Sequence, residues 1–320
     1  MARAVESSNL RTINSARGAN GLATWRVLQR HWFVYVCGLV MPVAFYAVFI
    51  GYPILHTLYL SLARWNGLES QIVFVGLQNF LDLTRDPNFT VSLVNNIKWA
   101  VLSLLVPVVL GLLMAVLLHS GKIYFSGVFR SIIFLPTTMA LVTIGIMFAL
   151  ILNPVFGAWN EALRVVGLGA LAHDWLGDPN TALYSLIAVF AWGYLGLPLM
   201  LFHAGISEIP VELYEASRIE GASGFQTLRY ITVPLLKPVA TVVTMLTVIN
   251  SLRAFDLVMV MTRGGPFKQT AVLGYLMYTE AFANYRFGYG AAISIVVLLL
   301  SSVFAAIYLR NVAGESLYVS

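Results

Sequence analysis

Residues 207–234 read SEIPVELYEASRIEGASGFQTLRYITVP and join two long apolar runs, at 182–206 and 238–261. The hydrocarbon core of a bilayer is about 30 Å thick, so a helix needs roughly 20 mostly apolar residues to cross it. Both runs have that length. The polar segment between them is therefore predicted to lie outside the bilayer, between two membrane spans.

The residues inside this segment predict two short helices joined by a tight turn. Pro210 suits the first turn of a helix, and the acidic Glu212 suits the positive end of its dipole. Gly221 suits a left-handed helix stop, and Ser223 can cap a second helix. We therefore expect a helical hairpin that lies along one face of the membrane.

The whole chain has the composition of a membrane protein. Of its 320 residues, 59% are hydrophobic and 10% are charged, whereas soluble domains average about 45–50% apolar and about 25% charged residues. The net charge of +5 comes from scattered basic residues, and no nucleic-acid partner is predicted. The lone Cys37 can form no internal disulfide, and the histidines show no metal-ligand spacing, so no metal site is predicted.

Six apolar segments are long enough to cross a bilayer. They lie at 33–60, 92–118, 128–152, 182–206, 238–261 and 287–309. Pro107 and Pro136 fall inside the second and third of them, and membrane helices tolerate proline when neighbouring groups satisfy the freed carbonyls. The sequence predicts an all-α integral membrane bundle of six transmembrane helices over 31–310, with a disordered tail at 1–30 and a second tail at 311–320.

The orientation of the bundle follows from its basic residues. The N-terminal tail carries Arg3, Arg11, Arg17, Arg26 and Arg30. Because Lys and Arg accumulate in cytoplasmic segments, both termini and the hairpin are predicted to be cytoplasmic. The segments at 61–91 and 153–181 are then outside, and the run Ile72–Val75 within the first of them is β-like.

The spacing of residues in the hairpin follows a longer pattern. It runs Glu215-Ala216-Ser217, two residues, Glu220-Gly221-Ala222, eight residues, Ile231, one residue, Val233-Pro234. This pattern resembles the EAA loop of ABC-importer permeases, EAA-x2-DGA-x8-I-x-LP, with conservative departures at Ser217, Glu220 and Val233. The resemblance implies a type I ABC importer permease in which residues 208–234 form the coupling loop that docks on an ATP-binding subunit. The coupling residues it implies are Glu215, Ala216, Ser217, Glu220, Gly221, Ala222, Ile231 and Pro234.

Three further segments are similar to sugar permeases of the maltose-transporter type. They are FVGLQNF at 74–80, WLGDP at 175–179 and FDLVMVMTRGGP at 255–266. With the hairpin they extend the resemblance over about 60–300. The resemblance therefore implies a sugar or oligosaccharide as the solute.

Polar residues within the fifth span are candidates for the substrate pathway. Asn250, Arg253 and Asp256 lie at membrane depth, where polar side chains usually face a bundle interior or a wet cavity. Arg253 and Asp256 are three residues apart and can pair on one helix face. The aromatic rings of Phe255, Trp192 and Tyr194 could stack on a sugar. A structural ion pair and simple helix packing remain open alternatives for these residues.

The chain is predicted to need separate partner proteins. It lacks the phosphate-binding pattern G-x-x-x-x-G-K-[ST], so it is not predicted to be an enzyme or to bind a cofactor itself. The resemblance implies that ATP and Mg are used by a cytoplasmic dimer of ATP-binding subunits. It also implies a second permease subunit, similar or identical to this chain, and an extracytoplasmic solute-binding protein. The permease itself is expected to contact the lipid of a bacterial inner membrane.

Two other classes of membrane protein compete with this interpretation. An ion-coupled secondary transporter would show broken helices and inverted halves, and the sequence predicts no matching pair of interrupted spans. A membrane-embedded enzyme would need several catalytic side chains at one depth, whereas Asp256 is the one acid deep in a predicted span. Within the ABC class, an importer for a non-sugar solute remains an alternative.

Overall fold

The computed structural model describes residues 36, 38–119, 124–252 and 254–316, without the side chains of 309 and 311–316. The described chain belongs to two compact units, Met1–Thr57 and Leu58–Ser320. The predicted N-terminal tail at 1–30 and the candidate pathway residue Arg253 lie outside the described residues.

Three helices are long and apolar enough to cross a membrane. They are α1 (Gly38–Ser61), α3 (Pro87–His119) and the first part of α14 (Phe287–Ser316), which is apolar over Phe287–Tyr308. Pro107 lies in a π-helical turn of α3, Leu104–Val108, and the helix continues through it. Helix α14 extends to Ser316, so the predicted C-terminal tail at 311–320 is helical over most of its length.

Three further apolar segments are pairs of helices bent at a short break. They are α4 (Ser126–Thr138) with α5 (Leu141–Ile151), bent by 99°; α7 (Ala182–Tyr194) with α8 (Gly196–Ser207), bent by 41°; and α10 (Gly224–Leu235) with α11 (Lys237–Leu252), bent by 72°. If each bent pair is one span, the described residues contain six. The sequence predicted no matching pair of interrupted spans, whereas these three apolar segments are each bent at a break. In the sharpest bend, Pro136 opens a 3₁₀ turn and Met139 and Ala140 are extended, which ends the helix.

The predicted fifth span at 238–261 is not one helix. Helix α11 ends at Leu252, and a separate π-helical turn, α12 (Val258–Thr262), follows. At the break, the side-chain amide of Asn96 in α3 donates hydrogen bonds to the carbonyl oxygens of Ser251 (3.2 Å) and Leu252 (3.4 Å). These are carbonyls that the end of a helix leaves unsatisfied. A side chain distant in sequence thus completes the end of α11.

The remaining elements are short and join the apolar helices. Strands β1 (Ala63–Arg64) and β2 (Val73–Phe74) pair antiparallel, in agreement with the β-like run predicted there. The short helices are α2 (Gln78–Arg85), α6 (Ala158–Val165), a 3₁₀ turn at Gly169–Leu171, α9 (Val211–Ile219) and α13 (Leu273–Tyr278), which a π-helical turn, Thr279–Ala283, extends. The described fold is otherwise helical, as predicted.

The helices of the second unit pack closely through small residues. A side chain at Gly111 of α3 would place its Cβ 2.8 Å from Pro198 of α8, and one at Gly205 would lie 2.7 Å from Val239 of α11. Small residues of this kind let membrane helices approach closely where no hydrophobic effect drives them together. Because α8 packs against α3 and α11, it forms a fixed base for the hairpin, which follows α8 in the chain.

Candidate functional site

The first helix of the hairpin, residues 208–234, ends at Gly221 as the sequence predicts. Gly221 has a φ of +78°. Its N–H donates to Arg218 O (3.1 Å), and the N–H of Ala222 donates to Ser217 O (2.9 Å). These two bonds form a Schellman motif, in which a left-handed residue satisfies the last carbonyls of a helix. Glycine is favoured here because the left-handed conformation costs other residues about 1–2 kcal/mol.

The second helix of the hairpin begins at a capping box. The backbone N–H of Gln226 donates to Ser223 Oγ (3.4 Å), and the N–H of Ser223 donates to Gln226 Oε1 (2.7 Å). The predicted cap at Ser223 is therefore confirmed. Pro210 stands one residue before α9 rather than in its first turn, and Glu212 lies in that turn.

Ser217 holds the two helices of the hairpin together. It is 4% exposed, its hydroxyl donates to Tyr214 O (2.9 Å), and its Oγ lies 3.4 Å from Thr227 Oγ1 of α10. Tyr214 Oη lies 3.3 Å from Thr232 Oγ1, which adds a second link between the helices. The hairpin is thus a rigid unit with polar contacts inside it.

The outer surface of the hairpin is apolar and exposed at its tip. Ile219 is 87% exposed and Phe225 is 69% exposed. Glu215, Ala216, Glu220 and Pro234 are exposed as well, whereas Ala222 and Ile231 are half-buried. Behind this surface, Glu215 and Arg218 line a cleft of about 480 Å³ with His119 at the end of α3. Large apolar side chains exposed together indicate an interaction surface.

A cavity of about 440 Å³ lies where the interrupted helices break. Its wall includes Thr137 and Met139 at the bend of α4 and α5, Tyr194 and Leu197 at the bend of α7 and α8, and residues 254–257 beyond the end of α11. Irregular backbone at membrane depth is tolerated where it lines a cavity. The breaks and the cavity are therefore parts of one feature.

Four of the six predicted pathway residues line the cavity. They are Tyr194, Asn250, Phe255 and Asp256. Asp256 is exposed in it and forms no hydrogen bond or ion pair with any residue that the structure describes. Asn250 is also exposed, and its amide donates to Leu246 O (2.9 Å). The cavity thus combines a carboxylate, an amide and aromatic rings.

Trp192 does not join this group. It lines a separate cavity of about 360 Å³ with Trp159, Trp175 and Tyr184, and its ring meets Phe148 edge-on at 5.1 Å. Residues two apart on a helix do not face each other, so Trp192 and Tyr194 point to different sides of α7.

The prediction that Arg253 and Asp256 share one helix face falls partly outside the described residues. It assumed a continuous helix, and α11 ends at Leu252. Because Arg253 lies outside the described residues, the predicted pairing of the two side chains stays a prediction.

Sequence reasoning missed Trp99, which lines the cavity and is fully buried. Its indole N–H has no hydrogen-bond partner within the described part of the chain. A signal for it was available, because Ser92, Asn96, Trp99 and Ser103 are all buried on α3 at helical spacing. A stripe of polar groups on one face of an apolar span indicates a face turned to the protein interior.

Comparisons with known proteins agree with one another. The family model described as "Binding-protein-dependent transport system inner membrane component" matches residues 107–313. The probable ABC transporter permease protein YurN of Bacillus subtilis (strain 168) is 36% identical over 263 residues, which cover 82% of this chain and 90% of the relative. The arabinooligosaccharides transport system permease protein AraP of the same organism is 32% identical over 271 residues, covering 83% and 84% respectively.

A solved structure shares the fold of the chain. It is a bacterial alginate ABC transporter in complex with an alginate pentasaccharide-bound periplasmic protein. One of its chains matches with a TM-score of 0.74 at 20% sequence identity, over 89% of this chain and 95% of that one. At this identity the match supports the fold alone.

Proposed function

This chain belongs to the family of binding-protein-dependent transport system inner membrane components, and we propose that it forms half of the membrane pathway of an importer for sugars or oligosaccharides. It is a permease subunit of an ABC transporter. The AraP relative is named for arabinooligosaccharides, which favours this class of solute. The resemblance of segments 74–80, 175–179 and 255–266 to sugar permeases favours it as well.

The observation that carries the proposal is the cavity around Asp256. Its volume of about 440 Å³ lies within the usual range of ligand sites, about 300–1,000 Å³. Asp256 can accept hydrogen bonds from sugar hydroxyls, and the exposed amide of Asn250 can donate one.

The hairpin supports a second part of the proposal, which is coupling to ATP. We assign residues 208–234 to the cytoplasmic EAA loop, where Ile219 and Phe225 would insert into a partner ATPase and Glu215 would pair with a basic residue on it. The Schellman turn and the contacts of Ser217 make the hairpin stiff enough to transmit a movement. The movement would reach α8 and α11, which hold the hairpin at its two ends.

The proposed assembly has five chains. Two permease subunits, this chain and a similar one, would sit on a dimer of ATP-binding subunits that uses ATP and Mg, and this chain would bind no cofactor itself. A solute-binding protein would dock on the opposite side. The six spans, the cytoplasmic termini and the location in a bacterial inner membrane belong to the same proposal.

Two experiments test the proposal in sequence. A tag at the C-terminus and gentle solubilisation of native membranes should co-purify an ATPase, a second permease and a solute-binding protein, identified by mass spectrometry. The complex, reconstituted in vesicles with that binding protein, should import one of three labelled series (arabino-, malto- or xylo-oligosaccharides) only when ATP is present inside.

The outcomes separate the competing functions. Transport by the chain alone, without ATP and driven by an ion gradient, would favour a secondary transporter, the class in which interrupted helices were expected. Import of an amino acid or phosphate with no uptake of any sugar would retain the ABC assignment and reject the sugar.

A further inference from the structure

Five aromatic rings form a continuous series in the second unit. Phe255 lies 5.4 Å from Tyr278, Tyr278 lies 5.4 Å from Phe282, Phe282 lies 5.3 Å from Phe287, and Phe287 lies 5.5 Å from Trp65, measured between ring centroids. The rings come from four separate parts of the chain, the 254–257 break, α13 and its π-helical extension, the start of α14, and the segment after β1. No sequence pattern links them. The series is a product of the fold.

The two ends of the series open into two different polar cavities. At one end, Phe255 lines the cavity that contains Asp256 and Asn250. At the other end, Trp65 lines a cleft of about 410 Å³ whose polar side chains include Arg64, Asn66, Asp82 and Arg286.

This outer cleft lies at the end of the bundle opposite the hairpin. Tyr289, which lines the cleft, donates a hydrogen bond to Asp86 (2.8 Å), the residue that precedes α3. The far end of α3 is His119, which lines the cleft beside the hairpin. The rings therefore connect the face away from the hairpin to the interior cavity.

The middle rings are exposed rather than packed in a core. Phe282 is 57% exposed and Tyr278 is 36% exposed, although aromatic rings of this size are usually buried in a protein core. Between them on the same turn, Glu280 forms an ion pair with Arg286 (3.1 Å) and accepts a hydrogen bond from Asn284 (3.2 Å). Glu280 itself is buried, but the Arg286 side chain is 52% exposed and directly precedes Phe287. Charged groups are costly in hydrocarbon, so Arg286 favours wet surroundings for the rings over a lipid contact.

We propose that Trp65, Phe287, Phe282, Tyr278 and Phe255 form a track along which sugar rings move from the outer cleft to the cavity. The inference rests on the proposed function, because it concerns the path of the same solute. The face of an aromatic ring is electron-rich and attracts the weakly positive C–H face of a sugar. Because each ring offers a similar contact, a sugar can leave one ring for the next without a deep minimum, as transport requires.

The track makes a prediction about the length of the oligosaccharide. A hexasaccharide spans more rings at once than a trisaccharide, so loss of a middle ring should harm the longer one more. Phe282→Leu removes the ring and keeps an apolar side chain. In the reconstituted complex, the kcat/KM of uptake should fall about threefold to tenfold for the hexasaccharide and less for the trisaccharide.

The probes are the trisaccharide and hexasaccharide of whichever labelled series the complex imports fastest. Phe282→Tyr should restore uptake of both, because it restores the ring. Phe156→Leu is the matched control, since Phe156 is a 69% exposed ring in the segment at 153–181 and is not one of the five rings. It should leave both rates unchanged. Co-purification of the partners checks that each variant assembles.

Failure of the track can be distinguished from failure of the proposed function. Unchanged uptake in Phe282→Leu, or an equal loss for both lengths, would overturn the track while the wild-type complex still imports sugar. If the wild-type complex imports no sugar, the proposed function fails and the track fails with it.

Discussion

The hairpin at 208–234 and the cavity around Asp256 differ in how far along the chain their contacts reach. In the hairpin, Gly221 bonds to Arg218 and Ser223 bonds to Gln226, each three residues away. In the cavity wall, the carbonyl of Leu252 at the break accepts a hydrogen bond from Asn96. The Oδ1 of Asn96 accepts another from the N–H of Leu273, 177 residues further along the chain. The hairpin is specified locally and the cavity only by the assembled fold. This difference suggests that the two regions also fail differently when they are changed.

The largest effect is expected for a charge reversal on the hairpin. Glu215→Lys places a positive charge on an exposed helix face that is proposed to meet a basic partner residue, and like charges across an interface cost several kcal/mol. Uptake and stimulated ATP hydrolysis should both fall to background while the chain stays in the membrane. Glu161→Lys, on the exposed face of α6, is the matched control and should transport normally. Normal uptake in both variants would remove the hairpin from the coupling mechanism.

The next largest effect is expected in the cavity. Asp256→Asn removes the acceptor charge, and a hydrogen bond to a charged group contributes about 1.5–3 kcal/mol. The kcat/KM of sugar uptake should therefore fall about tenfold to a hundredfold, as measured by initial rates in vesicles. Asn250→Ala should show a smaller loss, because a neutral hydrogen bond contributes less than a bond to a charged group. An unchanged rate in both variants would mean that sugar does not pass through this cavity.

Much of the hairpin could be predicted from sequence because its signals are local. Gly221 and Ser223 indicated the turn and the second cap, and the structure has both. The cavity was found only in part. Asn250, Phe255 and Asp256 drew attention as polar or aromatic residues in an apolar run. The break between them was missed, because the side chain that completes the end of α11, Asn96, comes from another helix.

Trp192 and Trp99 show the limit of reasoning from residue type. Trp192 was selected but does not line the cavity, whereas Trp99 lines it and was overlooked. Trp192 was selected as an aromatic ring in a predicted span, but its position on α7 turns it away from Tyr194. Trp99 was overlooked because no local signal separates a cavity-lining tryptophan from a packing one. Its polar neighbours at helical spacing on α3 were the available evidence. In a helical bundle, the face on which a residue lies is more informative than its residue type.

A smaller effect is expected from two glycines that end helices in the same way. Gly167 ends α6 with a φ of +81° and a Schellman motif, as Gly221 ends α9, and a Cβ added at either glycine would meet nothing within 4 Å. Valine at either position should cost at least about 1–2 kcal/mol of local stability, since it is β-branched in a left-handed conformation.

The two glycine variants therefore differ in location and not in local strain. Gly221→Val should lower ATP-driven uptake about tenfold by disordering the hairpin, whereas Gly167→Val should leave it nearly unchanged. Hydrogen exchange should show faster opening of α9 and α6 respectively. Equal losses of uptake would mean that the strain itself, rather than the hairpin, limits transport.

The smallest effect is expected for the polar contacts within the hairpin. Ser223→Ala removes the capping box and should cost about 1 kcal/mol. Ser217→Ala, which restores the residue of the EAA pattern, should cost about 0.5–1.5 kcal/mol from its hydrogen bond to Tyr214. Hydrogen exchange of 208–234 should detect both variants, and uptake should fall by less than about fivefold. A complete loss of uptake in Ser217→Ala would give that hydroxyl a direct role at the partner surface.

The most direct test measures ATP hydrolysis and sugar uptake in the same vesicles for Glu215→Lys and Asp256→Asn. The hairpin and the cavity are assigned to separate tasks, coupling and solute binding. Glu215→Lys should therefore lose both activities, and Asp256→Asn should retain hydrolysis while its uptake falls. Loss of hydrolysis with uptake in Asp256→Asn, or sustained uptake in Glu215→Lys, would contradict that assignment.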